Sequence, residues 1–264
     1  MKINISDYLV CPHDHGELDC INGIAYRCKE CGSKFPFEIS GVPNFLSDDI
    51  NSARLQHIPL NAAGDGSSNW SPGLRYWNPG FLAKLLKFGY GVERPKELVP
   101  EGALMLDVGC GGNAQGDINT DVYIPSPLPK NFLLASAEKL PFKSGSIDIV
   151  RSAYVIEHNP HPALMLKEHS RVSKHKVIAY TDNSDWLGAI LLRALNTGYI
   201  FHDEHYYKWS KEYMENLIAR LKLRGVVKLF NGSPSLFVKI FSLFGIIPRI
   251  GPLFYRDLKV ELTK

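Results

Sequence analysis

No apolar run in this 264-residue chain reaches the roughly 18–20 residues that a membrane-spanning helix needs, so no helical transmembrane segment is expected. The opening MKINISDYLV lacks the sustained apolar core of a secretory signal, which points to a soluble, cytoplasmic protein. Charge of one sign is also scarce. Thirty Lys and Arg against 27 Asp and Glu leave a net charge of +3, short of the basic stripe that by itself marks a nucleic-acid binder. Cysteines number only 5, and an odd count does not suit a disulfide framework. Four of them, Cys11, Cys20, Cys28 and Cys31, fall in the first 31 residues; Cys110 stands apart. In a reducing compartment such a cluster more often holds metal. No internal repeat is present.

Three stretches differ in texture. Residues 1–48 are rich in Cys and His with short strand-like runs, and residues 49–72 are polar, rich in Gly, Ser and Asn, and aperiodic, the composition of a linker. Residues 73–264 alternate short apolar strands with helical patterns, which predicts βαβ units. Strands are expected over 104–108, 117–122, 132–135, 147–152, 176–181, 226–230 and 258–262, and helices over 80–88, 162–172, 186–195 and 211–221. Pro162 suits a first helical turn, where its missing N–H is no loss. The fold class is α/β: a doubly wound, mostly parallel, seven-stranded Rossmann-like sheet with a small N-terminal β module. Such sheets bind ligands at the carboxyl ends of their strands, at the switch point.

LMLDVGCGGN, from Leu104 to Asn113, is a buried-strand pattern entering a glycine-rich turn. Glycines allow positive φ and close approach of the backbone to a ligand. Gly109, Gly111 and Ala114 also fit the dinucleotide pattern. Two features argue against a dinucleotide. Asp107 would repel a pyrophosphate and welcome a cationic amino-acid group, and Asp121 lies only ten residues past Gly111.

LDVGCGG resembles the first motif of class I S-adenosylmethionine-dependent methyltransferases. ASAEKLPFKSGSIDIVRSAYVIEHNPHP and HDEHYYKWSKEYMENLIARLKL resemble later runs of the small-molecule and rRNA branch, so that the likeness covers about 170 residues in order. The resemblance implies that Asp107, Gly109 and Gly111 cradle the methionine part of the cofactor and that Asp121 takes the ribose hydroxyls. It places Ala137 and Glu138 beside the adenine, with Glu138 one position past the usual acid. Ser152, Ala153 and Tyr154 end the fourth large-domain strand, where the reactive methyl group points. Two departures stand out. Only seven residues separate Gly109 from Asp117, too few for a crossover helix. The turn before the fifth strand is the non-standard Val172-Ser-Lys-His-Lys176.

Cys11-Pro-His-Asp14-His15 and Cys28-Lys-Glu-Cys31-Gly32 look like the two knuckles of a zinc ribbon, which needs four ligands. Cys11, Cys28 and Cys31 supply three. Asp14, His13 and His15 are open for the fourth, histidine being the more usual chemistry and His15 the expected residue. Asn22-Gly23 is a two-residue hairpin signal that pairs Cys20 with Ala25 and carries Cys20 away from the site. This stretch resembles small zinc-ribbon activators of RNA and protein methyltransferases, and the zinc-ribbon module fused to bacterial rRNA methyltransferases. Any zinc here is structural.

Methyl transfer is an in-line displacement in which positioning matters and a base assists a hydroxyl or amine acceptor. His158, Tyr154 and His205 are the candidates for that work. His202 and His205 flank Asp203 and Glu204, a polar loop pattern. Trp70, Tyr76 and Trp77 suit an aromatic lid or ordinary core. Residues 233–256 form an apolar insert broken by Pro248 and Pro252, suited to core, a substrate lid, a dimer contact or a membrane-surface patch. The expected function is S-adenosylmethionine-dependent methyl transfer, with the N-terminal module aiding substrate or partner recognition. RNA is slightly favoured as acceptor over a small molecule or lipid, and a non-catalytic scaffold is the remaining alternative.

Overall fold

The computed structural model describes residues 3–51, 94–187, 190, 205–230 and 251–264. The helix expected at 80–88, nearly all of the linker, the aromatic group at 70–77, His202 and residues 233–250 of the apolar insert lie outside the described residues, as does most of the helix expected at 186–195.

A small antiparallel sheet comes first: β1 (Leu18–Ile21), β2 (Ala25–Cys28) and β3 (Lys34–Pro36). The β1–β2 turn is one residue longer than its sequence predicts. Ile21 pairs with Ala25 and Cys20 with Tyr26, because Asn22 and Gly23 both take left-handed φ (51° and 71°) and Ile24 joins them in the loop. Cys20 is still carried to an exposed position.

The large sheet contains β4 (Met105–Val108), β5 (Ile118–Asp121), β6 (Phe132–Leu134), β7 (Ile147–Ala153), β8 (Ser173–Asp182), β9 (Arg224–Phe230) and β10 (Asp257–Thr263). Their order is β6-β5-β4-β7-β8-β10-β9. The first five are parallel, and β10 runs antiparallel between β8 and β9. This is the doubly wound, mostly parallel Rossmann-like arrangement, with its switch point between β4 and β7. β4 is buried at every position, as a central strand covered on both faces must be.

Helix α1 (Pro162–Val172) turns Met165, Leu166 and Val172 inward against β7 and β8. The segment 173–176 is no turn: Ser173 leaves the helix at ψ 140° and immediately pairs with Ile147, so β8 starts where α1 stops. Helix α2 (Lys211–Arg220) packs Met214 and Ile218 toward β9, its first turn capped by the Ser210 hydroxyl accepting from the Tyr213 N–H at 3.1 Å.

The N-terminal module is built into the large sheet. The Phe45 N–H donates to the Leu134 carbonyl and the Leu134 N–H to the Pro43 carbonyl, both at 2.9 Å, so this segment lies along the edge strand β6. Val10 and Lys143 add backbone bonds at 3.0 and 2.9 Å. Leu9, Tyr26, Phe35 and Phe45 belong to the same buried cluster as Leu106, Leu140 and Phe142. Among the described residues no helix is long and apolar enough to cross a membrane.

Candidate functional site

The glycine turn leaves the carboxyl end of β4 at the switch point. Gly109 has φ +65°, and a Cβ there would sit 2.4 Å from Cγ2 of Val155, which closes over the turn from the end of β7. Only glycine fits. The link from Gly109 to Asp117 contains no helix. Polar side chains hold it instead. Asp117 accepts from the Met105 N–H at 2.9 Å, and the Asn119 amide bonds both the N–H and the carbonyl of Gly116 at 3.0 Å. A Cβ on Gly116 would lie 2.3 Å from the Ile118 carbonyl oxygen, so this tight link also demands glycine.

Asp121 ends β5 facing that turn. Its carboxylate accepts from the Gly111 N–H at 2.8 Å and the Tyr123 N–H at 3.2 Å, and burial raises its pKa. The structure therefore brings Asp107, Gly109, Gly111 and Asp121 together despite the missing crossover helix. Ala137 is buried in the loop after β6, and beside it the Glu138 N–H donates to the Ser136 hydroxyl at 3.3 Å. Ser152 is buried in β7 opposite Val108.

Asp107 is not an open acid. One carboxylate oxygen accepts from Arg151 at 2.7 Å; the other accepts from Arg94 at 3.2 Å and from the Gln115 N–H at 3.0 Å. Arg94 also donates to the carbonyls of Gly109 (2.7 Å), Ala153 (3.3 Å) and Cys110, so its guanidinium ties the glycine turn to the end of β7. Both arginines escaped the sequence reading. For Arg151 a signal existed: a cation within IDIVRSA can be buried only beside an acid.

Just past the carboxyl end of β7, Tyr154 adopts φ +58°, and its buried hydroxyl has no hydrogen-bond partner among the described residues. Burial raises its pKa, with Asp257 and Asp182 adding to the effect. The short 3-10 turn Ile156–His158 follows. The rings of His158 and His205 meet edge to face with centroids 4.4 Å apart, so the structure brings these two candidates together.

In the N-terminal module, Cys11, Asp14, Cys28 and Cys31 gather, with one ligand atom from each lying within 4.8 Å of the others. His15, the expected fourth ligand, is exposed and outside this group. Its backbone explains why. His15 has φ 60° and donates its N–H to Cys11, as Gly32 with φ 74° does to Cys28, so His15 fills the turn position after the ligand in each knuckle. Asp14 is then the counterpart of Cys31.

A zinc ion bound tetrahedrally holds S–S edges of about 3.8 Å and S–O edges of about 3.5 Å. Cys11 and Cys31 sulfurs are 3.7 Å apart, and Cys28 Sγ is 3.4 Å from an Asp14 oxygen. A Cβ on Gly16 would intrude to 3.0 Å from Cys28 Sγ. The cluster fits zinc. Burial pushes the Cys11 thiol up to about 12, so the thiolate form calls for a cation beside it.

Residues 113–181 match the family described as "Methyltransferase domain". Nothing among curated proteins matches the chain. Similar solved structures include an S-adenosylmethionine-dependent methyltransferase from Thermotoga maritima, with 18% identity and a TM-score of 0.45, covering 63% of this chain and 84% of that one. A second is the magnesium protoporphyrin IX methyltransferase of Synechocystis with bound S-adenosylhomocysteine, at 14% identity, TM-score 0.42 and coverages of 62% and 74%. A third, from Archaeoglobus fulgidus, shows 18% identity, TM-score 0.42 and coverages of 62% and 87%. The doubly wound fold is defined by the strand order β6-β5-β4-β7-β8-β10-β9.

Proposed function

We propose that this chain, which carries a class I S-adenosylmethionine-dependent methyltransferase domain, transfers the cofactor's methyl group to a hydroxyl or amine acceptor. The observation that carries the proposal is the glycine turn at the switch point, with the Gly111 N–H bound to Asp121 at the end of the neighbouring strand. When bound, S-adenosylmethionine supplies an electrophilic methyl on a sulfonium.

The chain's residues then have the following work. Gly109 and Gly111 let the backbone approach the methionine end, and Asp121 accepts the ribose hydroxyls. Ala137 and Glu138 border the adenine. Asp107, its charge balanced by Arg94 and Arg151, acts by fixing the turn. Ser152 and Tyr154 shape the end of β7 toward the acceptor. His158 or His205 takes the acceptor's proton as the new bond to carbon forms.

The acceptor we favour is RNA. Its support is the zinc-ribbon-like module packed on the large sheet and the small excess of basic residues. Membrane-surface contact through the apolar insert belongs to the rival lipid reading.

Calorimetry with S-adenosylmethionine tests the premise: binding is expected, and Asp121→Ala should weaken it. A folded, zinc-loaded protein that ignores the cofactor would sink the proposal. Incubation with methyl-labelled cofactor and cell extract tests the acceptor. Label in RNA is expected; label in lipid or small metabolites replaces RNA with that class, and cofactor binding without labelling identifies a scaffold.

A further inference from the structure

The three side chains Glu157, His158 and His205 lie outside the glycine turn and far along the sequence from the cysteine cluster. Each offers a ligand atom, and these atoms lie within 4.8 Å of one another. We propose that they form a second cation site, taking a divalent transition metal through two imidazoles and one carboxylate.

The backbone builds this arrangement. The Glu157 carbonyl accepts from the N–H groups of Tyr206 at 2.8 Å and Tyr207 at 3.4 Å, and the Tyr207 hydroxyl donates to the Pro160 carbonyl at 3.0 Å. These bonds pin residues 205–207 along the 3-10 turn and set the His205 ring against that of His158. Two histidines 47 positions apart in the chain thus meet because the main chain holds them there.

The carboxylate ligand is anchored as well. Glu157 is 2% exposed, and one of its oxygens accepts from the Thr181 hydroxyl at 3.1 Å. With the Thr181 hydroxyl on one oxygen, the buried carboxylate is held in place beside the two rings.

Geometry and donor set define the metal class. A cation about 2.1 Å from each ligand needs neighbouring ligand atoms about 3–3.5 Å apart. His158 is exposed and His205 half-buried, so the rings can make the closing adjustment while Glu157 stays fixed. Two imidazoles and a carboxylate suit manganese, iron, cobalt or zinc, and three protein ligands leave positions open. Glu157 and His158 lie just past the end of β7, the strand end assigned above to the acceptor side of the proposed methyl-transfer site. A role there rests on the methyltransferase reading: the metal would hold the acceptor hydroxyl and lower its pKa so that its proton passes to solvent. The two imidazoles then serve as ligands in place of a free histidine base.

The test uses Mn2+ as probe, because thiolate-rich sites prefer softer ions. Zinc-loaded full-length protein without S-adenosylmethionine is titrated with Mn2+, and free ion is followed by electron paramagnetic resonance. One Mn2+ should bind per chain. His158→Gln, at an exposed position, and His205→Ala should each weaken it by roughly 10–100-fold or more, the scale on which even outer-shell partners act. Near-UV circular dichroism confirms that each variant is folded. No binding up to millimolar Mn2+, or equal affinity in wild type and both histidine variants, would overturn the proposal. Because the titration contains no cofactor, its failure is distinct from failure of S-adenosylmethionine to bind.

Discussion

Asp107 and Arg151 face each other across adjacent parallel strands, 2.7 Å apart, with both side chains fully buried. Arg151 also donates to the Pro95 carbonyl at 2.7 Å. Removing one member of a buried ion pair leaves its partner uncompensated, typically at about 3–5 kcal/mol. Arg151→Met keeps most of the volume and removes the charge. Arg94 and the Gln115 N–H still reach Asp107, so the loss should fall near about 3 kcal/mol on that scale. Urea unfolding checks this, and a variant as stable as wild type would mean that the pair contributes nothing.

Gly109→Ala should weaken both the fold and cofactor binding. The left-handed backbone alone costs roughly 1–2 kcal/mol with a side chain present, and the 2.4 Å approach to Val155 adds to it. Adding Val155→Ala should recover the steric part and leave the backbone part. A double variant no better than Gly109→Ala would show that Val155 is not the obstacle.

Zinc affinity should follow Asp14 and ignore His15. Competition with a chromophoric chelator should show weaker zinc in Asp14→Ala, unchanged zinc in His15→Ala and tighter zinc in Asp14→Cys. Cys11 and Cys28 share one buried cluster with Leu140 and Phe142, so chelation should lower Tm in a single transition. Separate melting of the N-terminal module would contradict that shared core.

His169 in α1 is fully buried, both ring nitrogens have no partner among the described residues, and burial lowers its pKa from 6.5 to about 3. The unfolded chain takes up a proton below pH 6.5 that the folded chain refuses down to about pH 3. Stability should therefore fall with acid across that window, at up to about 1.4 kcal/mol per pH unit. His169→Leu removes this term. Melting against pH should show wild type losing ground to the variant only on the acid side; parallel curves would refute it.

The seven strands were legible because short apolar runs bounded by turn residues fix buried strands almost wherever they occur. The position of the glycine turn at the switch point was legible for a related reason: such a turn after a buried run has few structural alternatives. Asp107's partners were not, since sequence does not show which residues meet across a sheet. Arg94 lies 13 positions before Asp107 and Arg151 lies 44 after it. In the repeat between the knuckles Asp14 stands where Cys31 does, a positional signal that competes with the usual preference for histidine. The β1–β2 register slipped by one because left-handed Asn22 and Gly23 suit longer loops as well as two-residue turns.

The segment from Pro43 to Phe45 that lies along β6 also has a colloidal consequence. An open strand edge is a template on which another molecule can add a strand, and natural sheets guard such edges with cover or with charge. Here the covering segment guards one edge, while Arg224 and Lys228 stand exposed on β9 at the other. If the module holds zinc, losing it would weaken both sheets together through their shared core, and the chain that then opens would offer β6 as an uncovered edge for self-association.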